Sequence, residues 1–246
     1  MFLHRLVRLW MIGSLGLAIA GWWMKDVLPA PERLVPEIAN EPVQKRTREK
    51  PFDITVEGVS YRVQPRYSYD LSALVVSLHH SDSWWDTAHK EWGDHVNVMD
   101  LCVVWGSSAT SGAYRSVSFS NTQWECHWQW FGEVAFRNDE ASNNHVVTEK
   151  PEVAKALKSI RVGDQVRIRG WLVDYTTMKD GRPQGTRVSS DRRTDDGPGA
   201  CEVIYVDEVE VLGRGGHRWL LAMKIALGSL LASLLAWLML PARFDD

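Results

Sequence analysis

Two apolar segments frame this chain, residues 6–24 and 219–240, and everything between them is polar and mixed in charge. Each is close to the roughly 20 apolar residues that cross about 30 Å of hydrocarbon. A backbone inside lipid must satisfy its own hydrogen bonds, so both read as membrane-spanning helices. The second segment is nearly free of charge. Its Lys224 lies near one end, and Trp219 and Trp237 sit where an aromatic belt belongs. The first has a basic start (His4, Arg5, Arg8) and ends on Trp22-Trp23. Signal peptides share that order, but the tryptophan pair stands where small residues should precede a cut, and Leu28-Pro29-Ala30 is a poor cleavage site. Residues 1–25 therefore read as an uncleaved anchor.

Arg5 and Arg8 precede the first segment and Lys25 alone follows it closely, which keeps the N-terminus in the cytoplasm. Two crossings return the tail, residues 241–246, to the same side. Arg214, His217 and Arg218 before the second segment, against Arg243 after it, run the other way, but the first helix usually dominates. The middle domain is thus expected outside the cytoplasm. It spans about 190 residues, the size of one domain with its own core. Residues 25–217 hold 29 acidic and 23 basic side chains, a net charge of −6, which argues against a nucleic-acid binder.

Residues 26–51 carry Pro29, Pro31, Pro36, Pro42 and Pro51 and a charged cluster from Lys45 to Lys50. That proline density predicts a stiff, solvated linker. The domain proper, residues 52–213, reads mainly as strand. Residues 52–63 alternate, with Gly58 as a turn, and 71–78 and 96–105 are β-branched runs. Residues 114–119 and 133–136 suggest two further strands. One amphipathic helix follows, with Thr148 as cap, Pro151 in the first turn, and Val153, Leu157 and Ile160 on one face. Next come an alternating strand, 165–173, with Gly170 at mid-length, a polar loop, 176–199, and a last strand, 201–211. A glycine so placed marks a bend or bulge. The expectation is a mainly β domain with one helix, an OB-like small antiparallel β-barrel flanked by two transmembrane helices.

The run Ser142-Asn143-Asn144-His145, then Gly163-Asp164-Gln165, then Gly185-Thr186 with Arg192, Asp195, Gly197, Gly199, Ala200, Cys201 and Glu202, resembles an uncharacterised family of bacterial membrane-anchored proteins. Tyr61, Pro65, Tyr69 and the stretch from Asp100 to Gly106 belong to the same pattern, which covers roughly residues 52–212. The family's loop reads nearer DTGNGACE; here Asp195-Asp196-Gly197-Pro198-Gly199 departs from it, and the proline would reshape any site there. The resemblance implies a shared envelope domain and no particular activity. The expected location is a bacterial inner membrane, with the main domain periplasmic or extracytoplasmic.

Three features carry chemistry. Cys102 lies in an apolar run and reads as a buried small hydrophobe. Cys126 and Cys201 are the pair suggested for a disulfide in an oxidising compartment, with the other pairings open. His79, His80, Asp82, Asp86, His89 and His95 crowd together with Trp84, Trp85 and Trp92. These are zinc or copper ligand types, but the spacing matches no recognised site, so a surface loop without metal is expected. Asn144, His145, Arg192, Asp195, Cys201 and Glu202 are the parts of a cysteine hydrolase. They equally suit a structural role, in which Arg192 pairs with Asp195 or Glu202 to brace the loop.

Thirteen tryptophans suit interfaces and sugar stacking. The functional expectation is a non-enzymatic binding module, needing no cofactor and no nucleic acid. Its partner is a protein or glycan, met through Asn144, His145, Arg192, Asp195, Trp84 and Trp85. The alternative is an envelope hydrolase using His145 and Cys201, with Glu202 or Asp195 orienting the imidazole. The enzyme needs a free Cys201; the binding module tolerates a disulfide or a buried thiol there.

Overall fold

A computed structural model describes residues 2–195, 197 and 199–240. The tail at 241–246, with Arg243, and the loop positions Asp196 and Pro198 lie outside the described residues. The chain divides into two units: the terminal helices, and the stretch Leu28–Arg214.

In the first unit, α1 (Phe2–Met24) and α5 (His217–Met239) each run for 23 residues. At 1.5 Å per residue that is about 35 Å, and both are long and apolar enough to cross a membrane. They pack antiparallel. Trp10 Nε1 donates to Ser229 Oγ at 2.7 Å, and the Ser14 and Ser229 hydroxyls lie 2.9 Å apart. Ser14, Ala18 and Gly21 form one helical stripe that lets the backbones approach. A Cβ on Gly21 would lie 2.9 Å from both the Met223 side chain and the Trp219 carbonyl oxygen.

The second unit is mainly β. In chain order it contains β1 (Val43–Arg46), β2 (Phe52–Val56), β3 (Val59–His80), α2 (Ala88–Trp92), β4 (Asn97–Val104), α3 (Gly106–Thr110), β5 (Ser118–Asn121), β6 (Cys126–Gln129), β7 (Ala141–Val147), α4 (Pro151–Lys158), β8 (Gln165–Lys179), β9 (Arg182–Arg187) and β10 (Glu202–Gly213). The large sheet runs β1-β3-β4-β7-β10-β8-β9. In addition β2 pairs with β3, β3 pairs with β8, and β5 and β6 form a separate hairpin. Gly58, at φ 81°, makes the turn between β2 and β3, as the alternation there requires.

The sheet is mixed, not the purely antiparallel one that the alternating strands suggest, because β10 lies parallel to β7. A parallel neighbour needs a crossover, and α4 is part of it. Pro151 opens α4, and Val153, Leu157 and Ile160 are buried. Thr148 does not cap the helix at its first turn; its Oγ1 accepts the Lys150 amide at 3.2 Å, one step earlier. Gly170 behaves as its position predicts. A Cβ there would stand 1.9 Å from the Tyr205 carbonyl oxygen, beside a register shift between Val206 and Glu208.

Other expectations give way. Residues 28–51 are no free spacer: Ile38 is fully buried, the Tyr114 hydroxyl donates to the Pro29 carbonyl, and β1 pairs with β3 from Val43↔Asp70 to Arg46↔Tyr67. Prolines there set two short 3₁₀ turns, Pro31–Arg33 and Pro36–Ala39, that pack on the core. Tyr114 lies in a 3₁₀ turn and strand begins only at Ser118, while residues 133–136 are irregular. The polar stretch after Thr176 is partly a hairpin. Asp180 and Gly181, at φ 50° and 73°, turn β8 into β9.

Candidate functional site

Three strands bring the chemistry together. Asp100 on β4 faces His145 on β7, which faces Val203 on β10, so Cys201 falls beside Asn143 and His145 at the mouth of the sheet. Side chains alternate along a strand. Asn143, His145 and Cys201 therefore share one face, while Ser142, Asn144 and Glu202 share the other.

The cysteines do not pair as the sequence suggests. Cys102 is bonded to Cys126, and Cys201 is free and partly exposed. β4 is buried on both faces, so an apolar run around Cys102 says nothing about whether its sulfur has a partner. The disulfide ties the β5–β6 hairpin to the sheet. Trp124, in that hairpin's turn, then covers the site. Its ring lies 3.8 Å from the His89 ring and 4.1 Å from the Arg187 guanidinium, and its carbonyl oxygen accepts from Asn143 Nδ2 at 3.0 Å and from the Cys201 thiol at 3.9 Å.

Beneath Trp124 runs a row of buried polar side chains. Asp86 Oδ2 lies 2.7 Å from both His79 Nε2 and His89 Nδ1. Asn97 Nδ2 bridges His89 Nε2 and Asp100 Oδ1, each at 3.0 Å. Asp100 Oδ1 holds His145 Nδ1 at 2.6 Å, and His145 Nε2 meets Arg187 Nη1 at 3.2 Å. Burial alone would push the His145 imidazole down, but the Asp100 charge and hydrogen bond outweigh it, with the neighbouring Cys201 side chain adding to the rise, and the group sits at about 9. With Nδ1 taken by Asp100, Nε2 is the nitrogen left to face the thiol; while it carries a proton it stands beside the Arg187 guanidinium without accepting from it, and the Arg187 charge opposes that proton. Asn143 Nδ2 also reaches Cys201 Sγ, at 3.4 Å.

A cleft of about 690 Å³ opens over this row, lined by His145, Cys201, Arg187, Trp124, Trp92 and Tyr175 among others. Tyr175 donates to Asp94 at 2.8 Å. A second cleft of about 400 Å³ reaches Cys201 from the other side and carries Arg192 and Asp195.

His145 and Cys201 thus come together as the sequence suggests, but the other members do not join them. Asn144 is fully buried on the opposite face, where its amide donates to the Leu101 carbonyl and the Ser142 hydroxyl. Glu202 is also there, so neither it nor Asp195 orients the imidazole; Asp100 does. The expected pairing of Arg192 with Asp195 or Glu202 is not found among the described residues: the loop is tied through Ser190, whose hydroxyl donates to Asp195 Oδ2 at 2.6 Å and accepts the Arg192 backbone amide at 3.1 Å. The histidine-rich stretch is only partly a surface loop. Trp84 is 88% exposed, and Trp85 lies edge-on to His79, yet His79, Asp86 and His89 are buried. Asp100 and Asn143 belong to the sequence pattern but carry no expected role at the site, and Trp124 and Arg187 are not singled out by the sequence; the one further signal is an acid in the otherwise apolar run around Asp100.

Burial pushes the Glu202 carboxyl up to about 8, and its Oε2 has no hydrogen-bond partner among the described residues. The unfolded chain ionises this group near 4.5 while the fold keeps it neutral, so stability falls as pH rises between those values. Glu202→Gln should remove that loss. Its gain over the wild type is expected to grow from nothing near pH 4.5 to about 3 kcal/mol at pH 7, read from melts of the full chain at a series of pH values. An equal effect at all pH values would contradict the assignment.

Comparison with protein-family models, with curated proteins and with solved structures finds no match to this chain.

Proposed function

We propose that the chain is a membrane-anchored cysteine enzyme of the acyl-transfer class, a hydrolase when water is the acceptor. The observation that carries this reading is a free, partly exposed Cys201 beside an imidazole whose far nitrogen is fixed by buried Asp100. Cys201 Sγ, as thiolate, attacks the acyl carbon. The bond to the leaving group breaks, and His145 gives that group its Nε2 proton. Water then attacks the thioester, His145 takes one of its protons at Nε2, and the carbon–sulfur bond breaks to release the acid and restore the Cys201 thiolate. Asp100 keeps the Nδ1 proton in place throughout, which makes it a positioning residue. Arg187, over the Trp124 ring at 4.1 Å, offers its guanidinium to an anionic group on the substrate.

The compartment follows in the same proposal: a domain on the periplasmic face of a bacterial inner membrane, held by α1 and α5. The Cys102–Cys126 bond supports an oxidising compartment. For the fold we propose an OB-like arrangement. Its support is the pairing order β3-β4-β7-β10-β8, the added β3–β8 pairing, the parallel β7–β10 pair, and α4 between β7 and β8. In that fold the ligand face is on the second and third strands, here β4 and β7.

The test is acylation by p-nitrophenyl acetate of the full chain in detergent. A p-nitrophenolate burst of one equivalent and a hydroxylamine-sensitive acetyl group on Cys201 are expected, both absent in Cys201→Ala. Turnover should drop by about 100-fold or more in His145→Gln. An unmodified Cys201, with turnover unchanged in Cys201→Ala, would overturn the proposal.

A second reading, a module that binds a protein or glycan, rests on exposed aromatic rings. Trp84, in the loop after β3, is 88% exposed, and Trp92, at the end of α2 and in the wall of the cleft, is 71% exposed. It predicts that Trp84→Ala and Trp92→Ala weaken partner capture while p-nitrophenyl acetate chemistry is absent.

A further inference from the structure

Among the described residues, one group of histidine and carboxylate side chains brings three ligand atoms close enough to share an ion: His79 Nε2, Asp86 Oδ2 and His89 Nδ1, all within 4.8 Å of one another. They come from three places, the end of β3, the loop after it, and α2. Their side chains are no more than 3% exposed. The carboxylate is fixed from behind, since the His89 backbone amide donates to Asp86 Oδ1 at 3.0 Å. Both rings are held on their faces or edges by aromatics, His79 by Trp85 at 4.8 Å and His89 by Trp124 at 3.8 Å.

We infer that His79, Asp86 and His89 form a binding site for a divalent first-row transition ion, with zinc the first choice. Two imidazole nitrogens and one carboxylate oxygen are a borderline donor set that zinc accepts, and hard cations such as magnesium prefer oxygen throughout. The ion takes the place of the ring proton that each imidazole otherwise points at Asp86 Oδ2, and in each neutral ring that proton moves to the other nitrogen, so the ring stays neutral.

A metal-bound His89 must then carry its remaining proton on Nε2. Asn97 stands at that nitrogen, 3.0 Å away, as the outer partner such a histidine needs. Turning the Asn97 amide presents its oxygen to that proton, while it gives up the bond to Asp100 Oδ1 and brings two oxygens close there. Oδ1 is the amide atom that has no partner in the present orientation. Asp100 keeps the His145 ring as its donor. The ion would pin the loop that carries Trp84 and Trp85, and α2 with Trp92, to the end of β3. This site stands or falls separately from thiol chemistry at Cys201.

The experiment uses the tag-free full chain in detergent, stripped with a chelator and titrated with zinc and with cobalt. One zinc per chain is expected to survive gel filtration, with visible d–d absorption for cobalt and a melting temperature raised by zinc and not by magnesium. His79→Gln and Asp86→Asn should each weaken zinc binding by more than about 100-fold, since outer-shell changes alone cost 10–100-fold. His127→Gln, a change at an exposed ring, should leave it unchanged. A folded wild-type chain that retains no zinc, gives no cobalt bands and melts at the same temperature with and without zinc would overturn the inference, whether or not the variants fold. Zinc held equally well by His79→Gln would overturn it too.

Discussion

Replacing Asp100 with alanine is expected to cost the domain about 3–5 kcal/mol, the range for removing one partner of a buried ion pair. The side chain is fully buried and holds His145 Nδ1 at 2.6 Å. Asp100→Asn is the more informative change because it keeps the shape and an acceptor while removing the charge. The Asp100 charge then no longer offsets burial, and the imidazole falls from its wild-type value. In the wild type, the folded-state value of about 9 lies above the unfolded one. The pair's contribution is therefore complete below about pH 6.5 and fades as pH rises through about 9, for a total of about 3 kcal/mol. The gap between wild type and Asp100→Asn should be widest near pH 6 and narrow by pH 9.5, measured by denaturant melts of the full chain. A gap that does not change with pH would mean that His145 is neutral in the fold.

The second large effect concerns the disulfide. The Cys102→Ser/Cys126→Ser double variant opens a loop closed over a sequence separation of 24 residues. Loop-closure entropy puts the loss at about 3 kcal/mol, or roughly 6–12 °C in Tm for a domain of this size. The local consequence should exceed the global one. The β5–β6 hairpin would lose its tie to β4, and Trp124 with it. Limited proteolysis is expected to cut first between residues 118 and 130 in the variant, at a site protected in the wild type. If Tm and the cleavage pattern are both unchanged, the bond is not formed in the native membrane, and the case for an oxidising compartment weakens with it.

Much of the architecture was legible because it rests on period and length. Two segments of membrane-spanning length, the alternation of residues 165–173, the face made by Val153, Leu157 and Ile160, and the bulge at Gly170 all follow from local geometry. The hairpin at Asp180-Gly181 was legible too, since that dipeptide is a strong turn signal, but it was hidden inside a polar stretch. The proline-rich stretch misleads because proline sets φ without deciding burial: Ile38 and the carbonyl of Pro29 find partners far along the chain. His145 and Cys201 could be picked out as chemical groups, but their orienting residue could not. Asp100 is 45 residues from His145, and only the β4–β7 register joins them. Asn144 and Glu202 were credited to the site for want of that register, which puts them on the other face. Cysteine pairing failed for a related reason, because a strand buried on both faces gives no hint of which sulfur has a neighbour.

The central claim is that Cys201, His145 and Asp100 act as one unit on the thiol. It is tested most directly by the rate at which iodoacetamide alkylates Cys201 at pH 7, in the full chain with its disulfide intact. The account predicts that the wild-type thiol reacts at least about 10-fold faster than the same thiol in His145→Gln, and that Asp100→Asn lies with the slow variant. Equal rates in all three proteins would contradict it and leave Cys201 as a partly buried thiol with no chemical partner.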